Sequence, residues 1–146
     1  MERSKEMVIL RKGILFLCTG NSCRSQMAEG FARKILPKDV KIFSAGLEPK
    51  GVHPMAIKVM QEVGIDVSHQ KSKNISEIPI HEISTVVTLC GDAAERCPIF
   101  LGKVKRVHWA LEDPAKARGS EEEITKAFRK VRDKIKSYII NFLLVK

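Results

Sequence analysis

The chain has 146 residues, 44% hydrophobic and 29% charged, the balance of one globular domain that hides about 70% of its unfolded surface without a disulfide or metal staple. Its longest apolar runs, Ile14 to Cys18 and Phe142 to Val145, fall far short of the roughly 18 residues of a membrane span. Met7 to Leu10 is too short for a signal peptide and is closed off by Arg11 and Lys12, so a cytoplasmic protein with no membrane partner is expected. Twenty-six Lys and Arg against 17 Asp and Glu leave a net charge of +9, which favours an anionic partner. With six Phe, one Trp and one Tyr, no basic run longer than two and no nucleic-acid-binding signature, that partner is not expected to be nucleic acid.

A loose lead-in is expected over the first dozen residues. Gly13 to Cys18 is a short continuous apolar run of the kind found in buried parallel strands. After polar Thr19 to Ser25, Met27, Gly30, Phe31 and Ile35 share one face of a helix that begins near Ser25. Val40 to Ala45 reads as a second strand ended by Gly46. Pro54 suits the first position of a second helix, with Ala56, Val59, Met60 and Val63 at helical spacing before Gly64. Thr85 to Leu89 and Val104 to Trp109 complete four strands. Ser120 with Glu123 forms a capping box opening a long last helix, whose apolar face is Ile124, Phe128, Val131, Ile135, Tyr138 and Phe142. Strands alternating with helices in one chain predict an α/β domain on a parallel sheet.

The segment Cys18-Thr19-Gly20-Asn21-Ser22-Cys23-Arg24-Ser25 lies between a predicted strand and a predicted helix. A loop there can turn successive N–H groups inward, and the helix adds its positive end, so Thr19 to Arg24 form a cradle for a tetrahedral oxyanion. Gly20 and Asn21 tolerate the left-handed backbone that a cradle needs. Arg24 offers a planar fork matched to two anion oxygens. The same positive field favours the thiolate of Cys18, to which Ser25 can donate a hydrogen bond. A phosphate loop of the nucleotide-binding type is disfavoured: Gly46 and Gly51 have the spacing, but Val52 and His53 stand where Lys and Ser or Thr are required.

Cys18 to Glu29 resembles the anion loop of thioredoxin-coupled arsenate reductases, which share the low-molecular-weight protein tyrosine phosphatase fold. Ser44-Ala45-Gly46, Val87 to Ala93, Cys97-Pro98 and His108-Trp109 through Asp113-Pro114 resemble the family in the same order. The resemblance implies a four-stranded parallel sheet flanked by helices on both faces, with Cys18 as nucleophile, Arg24 as anion clamp and Asp113 as general acid. It further implies a relay in which Cys90 attacks Cys18 and Cys97 then attacks Cys90, leaving a disulfide for thioredoxin to reduce. Arsenate is the implied substrate, with phosphate or sulfate competing.

No cofactor is expected, and a zinc site is disfavoured because the spacings Cys18 to Cys23 and Cys90 to Cys97 lack the tight knuckles of common sites. Cys23 is assigned no redox step. His53, His69, His81 and His108 form no spaced cluster, and Trp109 reads as core. The alternative enzyme is a tyrosine phosphatase using Cys18, Arg24 and Asp113 alone; against it, Gln26 stands where those phosphatases usually have proline, and no tyrosine follows Asp113-Pro114. A non-catalytic basic adaptor for phosphate groups is a third reading, under which Cys18 would be dispensable.

Several reductases of this kind hold a potassium ion beside the loop through Asn, Glu, Ser and Asp side chains. Asn21, Glu29 and Ser44 match the first three, but the fourth place holds Lys73. An ammonium there repels a cation. It either lies beside Glu29 and supplies the charge itself, or is a solvated surface lysine.

Overall fold

A computed structural model describes residues 13–97 and 104–143. The first dozen residues, expected to form a lead-in, and Pro98 of the Cys97-Pro98 match lie outside the described residues. Four strands, β1 (Gly13–Cys18), β2 (Lys41–Gly46), β3 (Thr85–Thr88) and β4 (Lys105–His108), form one parallel sheet in the order β2-β1-β3-β4. The helices are α1 (Arg24–Ile35), α2 (Pro54–Gln61), α3 (Gly91–Arg96) and α4 (Glu121–Tyr138). Among the described residues no helix is long and apolar enough to cross a membrane.

All six residues of β1 are buried, although successive side chains point to opposite faces, so both faces of the sheet are covered at its centre. That is why β1 reads as a continuous apolar run rather than an alternating one. At the edge, β4 carries exposed Lys105 and Arg106, charges that discourage further strand pairing. On α1, Met27, Gly30 and Phe31 are buried as their spacing predicts, and Gly30 lets Val67 approach so closely that a Cβ would lie 2.7 Å from its side chain. The capping box at Ser120 is present in both directions, and α4 buries Phe128, Val131 and Ile135.

Two expected core positions are corrected. Val63 lies at the surface, because α2 ends at Gln61 and the chain turns through Gly64 at φ +78, with the Ile65 N–H reaching back to the Met60 carbonyl. Phe142 is 64% exposed. A π-helical turn over Ile139–Leu143 follows α4 and shifts the helix face, so Ile139 and Leu143 turn inward while Phe142 lies against the outer side of Tyr138.

Candidate active site

Cys18 ends β1, and the loop after it closes over the end of the sheet. The carbonyls of Thr19, Gly20 and Ser22 accept hydrogen bonds from the backbone N–H groups of Glu48 (2.8 Å), Lys50 (2.9 Å) and His53 (3.0 Å). Because each peptide is planar and trans, fixing these carbonyls outward turns the N–H groups of Gly20, Asn21 and Cys23 toward the interior of the loop. Of the two residues expected to permit a left-handed turn, Asn21 adopts it, at φ +46. Gly46 permits the close approach of β2: a Cβ there would meet the Thr19 carbonyl oxygen at 2.7 Å and the Asn21 nitrogen at 2.8 Å.

Cys18, Arg24, Cys90 and Asp113 line one cavity of about 930 Å³, with Lys50 and Lys116 adding positive charge at its wall. The Cys18 sulfur lies 2.9 Å from the Ser25 hydroxyl. Arg24, the first residue of α1, is held by the Leu111 carbonyl (3.1 Å) and faces the Asp113 carboxylate at 3.7 Å. Asp113 in turn caps a short 3-10 turn, its other oxygen accepting from the Ala115 N–H at 3.0 Å. Expected clamp and expected acid therefore stand side by side on the wall of one cavity.

Cys90 and Cys97 bracket α3 as its N-cap and C-cap residues. The Cys90 sulfur accepts from the Ala93 N–H at 3.3 Å and touches the Thr19 hydroxyl, also at 3.3 Å, which places a second thiol against the anion loop. Cys97 is half-buried; burial raises its pKa, partly offset by Arg106, whose guanidinium donates to the sulfur at 3.4 Å. Burial pushes the Cys23 thiol up to about 12, against the lowering effect of Ser22, consistent with a structural thiol. No disulfide is present among the described residues.

Sequence reading missed two supports of the site, the bonds joining Thr19, Asp92, Arg96 and Glu48 and the buried Gln26. Thr19 donates to Asp92 (2.9 Å), and Arg96 bridges Asp92 (2.9 Å) and Glu48 (3.0 Å), tying α3 to the loops after β1 and β2. Gln26 is fully buried and donates to the carbonyls of Asn21 (3.0 Å) and Lys71 (3.1 Å), while Gln70 donates to its side-chain oxygen at 2.8 Å. Its departure from proline was the available signal. His53, by contrast, caps α2 as a surface-or-capping reading allowed, its Nδ1 accepting from the Met55 N–H at 3.0 Å, and packs on Phe128.

The place where the resemblance implied potassium does not fit the ion. The Lys73 ammonium lies 3.9 Å from the Glu29 carboxylate, so a cation at that carboxylate would meet a like charge.

A thiol at the end of a parallel strand, a cradle of amides and an arginine fork define a cysteine-dependent oxyanion enzyme. The sequence profile of the low molecular weight phosphotyrosine protein phosphatase family matches residues 13–145, and the chain belongs to that family. Within it the arsenate reductases are similar over nearly the whole chain. The arsenate reductase of Oceanobacillus iheyensis is 54% identical over 86% of this chain and 90% of its own, and that of Bacillus licheniformis 52% over 90% and 95%. A solved arsenate reductase in the phosphate binding state superposes with a TM-score of 0.78 at 38% identity, covering 90% of this chain and 96% of its own.

Proposed function

We propose that this chain reduces arsenate to arsenite, with Cys18 as nucleophile and Cys90 and Cys97 as a relay that thioredoxin resets. The Cys18 thiolate attacks arsenic and displaces one oxygen, which Asp113 protonates so that it leaves as water. Arg24 and the loop amides hold the remaining oxygens as charge develops. Cys90 then attacks the Cys18 sulfur; the S–As bond breaks, its electron pair stays on arsenic, and As(V) becomes As(III), released as arsenite. Cys97 attacks Cys90 and expels the Cys18 thiolate. The two electrons thus come from two thiols, which end as the Cys90–Cys97 disulfide, and a cytoplasmic dithiol such as thioredoxin returns them.

The observation that carries this reading is the contact between the Cys90 sulfur and Thr19 of the anion loop, because hydrolysis of a phosphate ester requires no second thiol there. Arsenite formation followed with thioredoxin, thioredoxin reductase and NADPH tests it. Cys90→Ala is expected to abolish arsenate turnover yet keep slow hydrolysis of an aryl phosphate, whereas Cys18→Ser abolishes both. Phosphate and sulfate are expected to compete. Undiminished arsenate turnover by the Cys90 variant would refute the relay.

A further inference from the structure

Behind Cys18 runs a hydrogen-bond chain that ends on Glu29. The Lys73 backbone N–H donates to the Asn21 side-chain oxygen at 2.7 Å, which fixes the sense of that amide. The Asn21 NH2 group then donates to the Ser25 hydroxyl (2.7 Å) and the Ser44 hydroxyl (3.1 Å). Ser44 passes its own proton to Glu29, at 2.6 Å. Ser25, already accepting from Asn21, lies 2.9 Å from the Cys18 sulfur and donates to it when that sulfur is a thiolate.

Glu29 anchors the far end. It is 5% exposed; its first oxygen accepts from Ser44, its second takes the Arg33 Nε at 2.9 Å, and the Lys73 ammonium stands 3.9 Å from the first. Lys73 is itself held in place. Its carbonyl accepts from the Gly46 N–H at 2.8 Å, and its ammonium donates to the Lys71 carbonyl at 2.6 Å.

We propose that Lys73 is a positioning residue of the thiol site, its ammonium supplying from within the chain the positive charge that holds Glu29, and through Glu29, Ser44 and Asn21 the orientation of the Ser25 hydroxyl toward Cys18. The proposal rests on the reading of Cys18 as nucleophile. It predicts that the site needs no monovalent metal ion. Losing the ammonium leaves Glu29 with one cationic partner, loosens the chain, and weakens the hydrogen bond to the thiolate without touching the anion cradle.

The test measures Cys18 alkylation by iodoacetamide, resolved by peptide mass, and steady-state arsenate reduction. Both are run in potassium chloride and in tetramethylammonium chloride at equal ionic strength, with melting curves as a check on folding. The unmodified protein is expected to behave alike in the two salts. Lys73→Met is expected to slow alkylation about tenfold, the loss of roughly one charge-assisted hydrogen bond, and to lower kcat while leaving KM for arsenate within about twofold. Lys73→Arg restores most of the rate. Lys73→Asp is slow in tetramethylammonium and recovers in potassium, because a carboxylate there completes an oxygen-ligand set. Strong potassium activation of the unmodified protein, or an unchanged alkylation rate in a folded Lys73→Met, would overturn the proposal; should Lys73→Met not fold, the salt responses of the unmodified protein and Lys73→Asp decide it. Alkylation needs no arsenate, so a chain that makes no arsenite refutes the reductase reading without deciding this one.

Discussion

The proposed relay demands that α3 open, and Arg96 pairs both within the helix and across to the loop after β2. Cys90 and Cys97 sit at opposite ends of α3; seven residues at 1.5 Å each separate their Cα atoms by about 10 Å, beyond the ~7 Å that a disulfide tolerates. Arg96 closes the helix from within by pairing with Asp92 and ties it to the loop after β2 through Glu48. All three side chains are about half exposed, so both pairs are weak and screened by salt. Arg96→Ala should therefore raise the open population only modestly, roughly two- to threefold at low salt. Amide exchange of residues 91–96 in the reduced protein reads this directly, and closure of the Cys90–Cys97 bond, measured by thiol loss, should quicken by the same factor. Opening also relieves the burial that raises the Cys97 pKa, which favours its thiolate as the helix yields. In 1 M salt the difference between variant and parent should shrink, because exposed pairs are screened. Unchanged exchange at low salt would show that the latch holds nothing, and faster exchange with unchanged closure would show that opening is not on the path.

Two further expectations come from titration. With its thiol held near 12, Cys23 carries thiolate at about one part in ten thousand at pH 8, so peptide mapping should find it unlabelled by iodoacetamide while Cys18 reacts; equal labelling would refute its structural assignment. Hydrogen bonding to Arg129, with Arg132 adding, holds Glu62 down at about 2, and this ties the end of α2 to α4. Because the folded value is depressed, the stabilisation is present above the ordinary 4.5 and is lost as pH falls toward 2. Chemical denaturation should show Glu62→Gln costing on the order of 1 kcal/mol at pH 6, after screening of an exposed pair, and converging with the parent near pH 2.

What could be read from the chain was set by local physics. An unbroken apolar run must be a strand buried on both faces, and a Ser with Glu three residues on must cap a helix; β1 and the start of α4 followed from those two facts. The anion loop was legible because Gly, Asn and Arg at those spacings serve one geometry. Phe142 was misplaced because its spacing assumed 3.6 residues per turn, and the π turn that changes the period leaves no mark in the pattern. The Thr19 to Asp92 bond spans 73 residues and the Gln26 to Gln70 bonds 44, and no local rule reports a contact between such distant positions. Lys73 stood between these cases: its charge was visible, but whether it met Glu29 depended on how the 66–73 segment lies against the loop.

Strand order explains why thiols so far apart in sequence meet. The chain leaves β1 for β2 on one side and later returns to place β3 on the other, so the loops that follow β1 and β3 part from adjacent strands and open a crevice at their carboxyl ends. Leu17 pairs with Thr88, and the Leu89 N–H bonds the Leu17 carbonyl at 2.9 Å. One residue further along both strands are Cys18 and Leu89, and the next pair of positions is Thr19 and Cys90. The contact between the second thiol and the anion loop is thus a consequence of parallel register: the proposed relay takes a cysteine at the second position beyond β3, whose side chain turns back toward the crevice, and a third thiol at the far end of α3. A phosphatase and a reductase can share this framework because the cradle belongs to the β1 loop and the electrons to the β3 loop.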